Sequence, residues 1–244
     1  MFKNFFALFL LSVFALFSSV KINAADGVQT ILCFGDSNAW GHIAGSFNSQ
    51  TGLCKRFEWN QRWAKILENS LGENYHVIEE AINGRTTTLD ELIPGRPYRN
   101  GLTLLPVCLE SHYPIDIVIF MLGTNDTKIQ YNRSADEIAE GMRALIKEAK
   151  TSNKGRNGNP PKILLIAPQP IIKRDLLLST LNDDSIKKSE LLAAKYEQLA
   201  KEELCGFLDA ARFVTSSPLD GIHLEENELM SLGLAVSEII KKMQ

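Results

Sequence analysis

A chain of 244 residues with 45% hydrophobic and 23% charged side chains has the composition of an ordinary folded protein, which excludes disordered, collagenous and disulfide-scaffold classes. Lys and Arg number 26 against 29 Asp and Glu, and the basic residues are scattered, so nucleic acid is excluded as the expected partner.

Residues 1–24 read as a secretory signal peptide. Lys3 supplies the positive start, Phe5 to Phe17 is a nearly unbroken apolar run, and Ala24 offers a small residue for cleavage. The run falls short of the roughly 20 residues that span a bilayer. This reading implies export to the periplasm or the exterior, with 25–244 as a single domain and no stable membrane insertion once the leader is removed. Cys33 lies in an apolar run and reads as a buried thiol, whereas Cys54 and Cys108 are the pair a disulfide would join. No metal-ligand spacing is present in the sequence, and neither metal nor organic cofactor is expected.

From there the chain alternates β-rich runs with amphipathic stretches, the pattern of a parallel sheet between helical layers. Strands are predicted at 30–35, 76–80, 115–122, 162–167 and 206–209. Helices are predicted at 57–71, 134–150, 185–204 and 225–243, each with apolar residues recurring on one face. His112 ends a further helix. The stretches 43–58 and 83–103 follow strand ends as irregular insertions, where ligands bind in open α/β sheets. The polar stretch 151–161 is a loop.

Four strand ends carry chemistry. Ser37 leaves the first strand in Gly35-Asp36-Ser37, at a turn where backbone N–H groups converge. A serine near neutral pH needs a base to activate it and a third group to orient that base. Asp220-Gly221-Ile222-His223 offers both, because the three-residue spacing lets the carboxylate reach Nδ1–H of the imidazole. Asn125, in Gly123-Thr124-Asn125-Asp126, presents an amide at the same sheet edge, and the Gly84 N–H is unobstructed by a side chain. Taken singly, each element is ordinary turn chemistry: a helix cap, a turn serine, a tight turn.

Taken in chain order, the chain resembles the SGNH (GDSL-type) hydrolases, most closely the arylesterase and acyltransferase branch. The likeness runs from Thr30 to Ile240 through residues 31–37, Glu79-Glu80, Arg85-Thr86-Thr87, Leu105-Pro106 and Met121 to Lys128. The resemblance implies an α/β, flavodoxin-like three-layer α/β/α sandwich with a five-stranded parallel sheet of order 2-1-3-4-5. It also implies Ser37 as nucleophile, His223 as general base and then acid, and Asp220 as its orienter. The N–H groups of Ser37 and Gly84, with the Asn125 amide, would form the oxyanion hole. Asn38-Ala39 departs from the apolar residue and Thr that many relatives place after the serine.

Asn38, Trp40, His42 and Arg85 are candidate substrate-binding residues, although bracing of the 83–99 loop is the favoured role for Arg85 and a packing role is equally open to Trp40. The expected activity is that of a secreted esterase removing short acyl groups, such as acetyl, from carbohydrate or other small esters. The alternatives are an aryl or short-chain lipid esterase, an acyltransferase, or an inactive carbohydrate-binding protein.

Overall fold

The apolar runs form five strands in the computed structural model of the chain, which describes residues 27–91, 98–174 and 180–243. The strands are β1 (Gln29–Gly35), β2 (Tyr75–Ala81), β3 (Ile117–Met121), β4 (Lys162–Ala167) and β5 (Gly206–Asp209). All pair in parallel in the order β2-β1-β3-β4-β5. β1, β3 and β4 are buried almost from end to end, which explains why they read as continuous apolar runs rather than alternating ones. The proposed signal peptide lies outside the described residues.

Helices α1 (Ser37–Trp40), α2 (Trp63–Leu71), α3 (Gly101–His112), α4 (Ala135–Thr151), α5 (Asp183–Glu202) and α6 (Glu226–Lys242) complete the fold. Strand alternation sends Leu32, Phe34, Val118 and Phe120 to one face, where Leu105 and Leu109 of α3, Ile138 and Leu145 of α4, and Leu192 and Tyr196 of α5 cover them. Ile31, Cys33, Ile117 and Ile119 go to the other, under Trp63 and Leu67 of α2 and Leu232 and Val236 of α6. This is the three-layer sandwich and strand order expected from the sequence. No helix among the described residues is long and apolar enough to cross a membrane.

Two elements differ from expectation. The helix predicted from residue 57 begins at Trp63, because Gln61 reaches back to the Glu58 N–H at 2.9 Å and closes a short 3-10 turn. Arg62 between them is extended, and its Nε donates to the Phe57 carbonyl at 3.0 Å. The second difference is α3, which starts inside the stretch read as irregular. Its apolar residues do not form one stripe, since Leu105 and Leu109 are buried while Val107 is 61% exposed, and Pro106 sits within it.

No disulfide joins Cys54 and Cys108. Cys108 is buried on the core side of α3, whereas the Cys54 thiol accepts from Asn83 Nδ2 at 3.2 Å. Cys33 is fully buried in β1, and that burial pushes its thiol well above the usual range.

Candidate active site

β1 ends at Gly35, and Asp36 caps the single-turn helix that follows by accepting the Asn38 N–H at 3.0 Å. Ser37 therefore occupies the first helical position, at the carboxyl edge of the sheet. The helix stops after one turn, where Gly41 adopts a left-handed conformation and the Ser37 carbonyl accepts the N–H groups of Gly41 and His42 at 3.1 and 3.0 Å.

His223 reaches this serine from the loop after β5. Its Nε2 lies 3.0 Å from Ser37 Oγ, and its Nδ1 lies 2.7 Å from Asp220 Oδ2. Asp220 Oδ1 accepts the N–H groups of Ile222 and His223, each at 3.0 Å, and Oδ2 also accepts the Gly45 N–H at 3.0 Å. Burial alone would raise the Asp220 carboxyl. The His223 hydrogen bond and charge, with the backbone donors, outweigh it and hold the group well below the usual carboxylate range. An ionised Asp220 demands a proton on Nδ1, which leaves the Nε2 lone pair to accept from the serine hydroxyl. The loop can be this tight only with glycine at 221, where φ is +78° and a Cβ would stand 2.5 Å from the Ile172 carbonyl.

Donors for a developing oxyanion lie on the same edge. Gly84 sits in the turn after β2, beside β1, with φ at +83°. Neither its N–H nor that of Ser37 has a hydrogen-bond acceptor among the described residues. The Asn125 amide is engaged differently from expectation: Nδ2 donates to Asp36 Oδ2 at 3.2 Å and to the Arg85 carbonyl at 3.1 Å, which occupies both of its protons. Asp36 is 2% exposed, and burial pushes its carboxyl up to about 6 against the pull of the Asn38 N–H and the charges of His223, Lys128 and Arg85.

The four residues considered for substrate contact separate. Asn38 is 2% exposed and works as a clamp: its Oδ1 accepts the Leu224 N–H at 3.1 Å and its Nδ2 donates to the Ile222 carbonyl at 3.4 Å. It thus ties the nucleophile helix to the residues on either side of His223. Arg85 is also 2% exposed, so it does not face a substrate. It lies over the Phe34 ring at 3.9 Å and donates to the carbonyls of Gly35 and Glu80, bracing the ends of β1 and β2. Burial lowers its guanidinium to about 10. Trp40 packs under the Arg56 guanidinium at 4.6 Å, the packing role open to it from the sequence.

His42 alone joins the catalytic group, stacked on the His223 ring with centroids 3.8 Å apart and planes 9° from parallel. His42, Asp220 and His223 bring potential metal-ligand atoms within 4.8 Å of one another. Both His223 nitrogens are hydrogen-bonded, however, and in-plane lone pairs of two parallel rings do not converge on one ion. The cluster is therefore arranged for proton transfer.

Sequence reasoning missed three contributors. Gly45 and Asn83 act through a backbone N–H and a side-chain amide from loops with no periodic signal. Asp126, in the Gly123–Asp126 motif, was not given a role. It is fully buried and accepts the Thr87 N–H at 3.0 and 3.1 Å and the Thr87 hydroxyl at 2.5 Å, fixing the turn that bears Gly84 to the one that bears Asn125.

A family model described as the GDSL-like lipase/acylhydrolase family matches residues 33–227, which include every one of these groups. The chain belongs to that family. Among solved structures, it is similar to Est24, a carbohydrate acetylesterase from Sinorhizobium meliloti, at 36% identity and a TM-score of 0.81 over 88% of this chain and 100% of that one. The native aryl esterase of M. smegmatis is 35% identical, with the same coverage and a TM-score of 0.81. A second S. meliloti protein, a carbohydrate acetylesterase family member, is 30% identical over 88% of this chain and 98% of its own, with a TM-score of 0.76. No curated protein matches the chain. The protein is a carboxylic ester hydrolase of the SGNH fold.

Proposed function

We propose that the protein is an exported serine esterase that removes short acyl groups, acetyl foremost, from carbohydrate or other small esters through an acyl-Ser37 intermediate. The observation that carries this reading is the continuous chain from Ser37 Oγ to His223 Nε2 at 3.0 Å and from His223 Nδ1 to Asp220 at 2.7 Å. In the first half-reaction Ser37 Oγ attacks the ester carbonyl while its proton passes to Nε2, and Asp220 stabilises the imidazolium. The N–H groups of Ser37 and Gly84 receive the oxyanion. The Asn125 amide joins them by exchanging its Arg85 carbonyl partner for the stronger, charged acceptor. The imidazolium then returns the proton to the departing alcohol. Water repeats the sequence on the acyl-enzyme, and an acceptor alcohol in its place would make the protein an acyltransferase.

The acetyl and carbohydrate part of the proposal is supported by the activities named for the two S. meliloti structures. The M. smegmatis aryl esterase supports an aryl ester substrate instead. Export rests on the character of residues 1–24.

The test is acetate release from an acetylated oligosaccharide and from an aryl acetate, by the purified protein beside Ser37→Ala and Asp220→Asn. Expected losses are about 10⁴-fold or more in kcat for either variant. Comparable rates in Ser37→Ala would overturn the serine mechanism. Aryl acetate turnover with no sugar-ester turnover over a broad panel would move the substrate to the aryl class.

A further inference from the structure

His42 lies five positions after the nucleophile, and nothing in the triad mechanism uses it, yet it makes the closest ring contact in the site. Its imidazole covers a face of His223 at 3.8 Å and is only 8% exposed. Three contacts hold it there. Its backbone N–H donates to the Ser37 carbonyl at 3.0 Å, and the residue pairs with Arg56 in an antiparallel bridge. Its Nδ1 lies 3.3 Å from Asn83 Oδ1. In this arrangement the Asn83 amide donates to Cys54 Sγ at 3.2 Å and turns its oxygen to His42, where it accepts a proton carried on Nδ1.

We propose that His42 is a positioning residue for the acyl transfer, its neutral imidazole holding the His223 ring in line between Asp220 and Ser37 and sharing the positive charge that ring takes up. The physics is that of a cation against a π face. When the Ser37 proton arrives at Nε2, His223 becomes a cation, and a neutral aromatic ring against its face stabilises that charge in a site shielded from water. A protonated His42 would do the reverse, placing two cations 3.8 Å apart. The surroundings favour the neutral form. Burial, and then the charge of His223, lower His42 to about 4 against the opposing pull of the Asn83 bond and Asp220. The charged groups around it are His223 and Asp220 from the loop after β5, and Arg56 from the loop segment bridged to it, whose guanidinium is turned to Glu79 and the Trp40 carbonyl. The turn after β2 contributes only the neutral Asn83 amide.

This inference rests on the serine esterase reading. The test is kcat and KM on an aryl acetate from pH 4 to 9 for wild type, His42→Ala, His42→Phe, Asn83→Asp, and the His42→Phe/Asn83→Asp double variant. His42→Ala is expected to lower kcat by about 10- to 30-fold, the range of a desolvated cation–π contact, with KM little changed. His42→Phe restores the aromatic face and is expected to recover most of that loss. Asn83→Asp puts a carboxylate on Nδ1–H, favours the protonated His42, and is expected to move the acid limb of the profile to higher pH only where His42 is present. Wild-type kcat in His42→Ala, no recovery in His42→Phe, or the same acid-limb shift in the double variant would each overturn the proposal. Absence of any Ser37-dependent turnover in the wild type would sink the esterase reading and this inference together, whereas Ser37-dependent turnover indifferent to His42 would sink this inference alone.

Discussion

Asn38→Ala is the substitution whose consequences follow most directly from the geometry. The Asn38 side chain is the direct tie between the nucleophile helix and the backbone flanking His223, residues that lie 184 and 186 positions away in sequence. Truncation leaves the Leu224 N–H, on a residue 1% exposed, without its acceptor at 3.1 Å, and a buried orphan donor costs about 1–3 kcal/mol. The Ile222 carbonyl loses only a long bond at 3.4 Å and keeps Gln169 Nε2 at 2.9 Å, so it adds little. A total near 2 kcal/mol corresponds to a fall in Tm of about 4–8 °C for a chain of this size. The kinetic effect should exceed what stability alone suggests. His223 must stay within hydrogen-bond reach of Ser37, and a displacement of about 1 Å at a reacting pair costs on the order of 10²-fold. Thermal unfolding followed by circular dichroism, with kcat and KM on an aryl acetate, checks both. The expected result is the lowered Tm with kcat down about 10- to 100-fold and KM nearly unchanged. A variant with unchanged Tm and unchanged kcat would refute the clamp.

Gly221→Ala should be more damaging, because a Cβ at φ +78° meets the Ile172 carbonyl at 2.5 Å. The combined strain and overpacking amount to about 2–4 kcal/mol, and kcat should fall more than 100-fold as Asp220 and His223 are pushed apart. A variant with wild-type kcat would refute this account of the loop. Asp126 gives a pH prediction. Burial outweighs the Thr87 hydrogen bonds and raises its carboxyl from 3.8 to about 6, so the folded state binds the proton more tightly than the unfolded chain. The stabilisation is full below about pH 4 and is lost as pH rises through about 6. The Tm of the wild type relative to Asp126→Asn is therefore expected to decline across that window, and a pH-independent difference would contradict it.

Much of this protein is written in local pattern. The strands at Lys162–Ala167 and Gly206–Asp209 coincide with the runs read for them: β4 is buried from Ile163 to Ala167 and so reads as one continuous apolar run, whereas β5 is a short, half-buried edge strand. Ser37 and the Asp220–His223 pair were identifiable because each is a short motif at a strand or loop end. The Asp220–His223 contact is itself local, spanning three positions. The onset of α2 was not readable, because a side-chain contact three residues long, Gln61 to Glu58, displaced the helix that the periodicity favoured. The end of α3 at His112 was read, but its start was obscured by apolar residues distributed around the helix and by Pro106.

The roles within the site were decided by contacts between residues far apart in the chain. Sequence alone offered Asn38 and His42 as polar neighbours of the nucleophile, Arg85 as a brace or a substrate contact, and Asn125 as an amide open to substrate. Only the packing of β1 between β2 and β3 buries the Arg85 guanidinium over Phe34, and only the return of the loop after β5 gives Asn38 its partners and His42 a ring to stack on. The Asn125 amide is held by Asp36, 89 positions earlier, because a buried carboxyl takes the donors within reach. Residue types and local spacing determine which chemistry a chain can perform. Which side chain meets the substrate, which braces and which shares a charge depends on distances that exist only once the sheet has brought its carboxyl ends together.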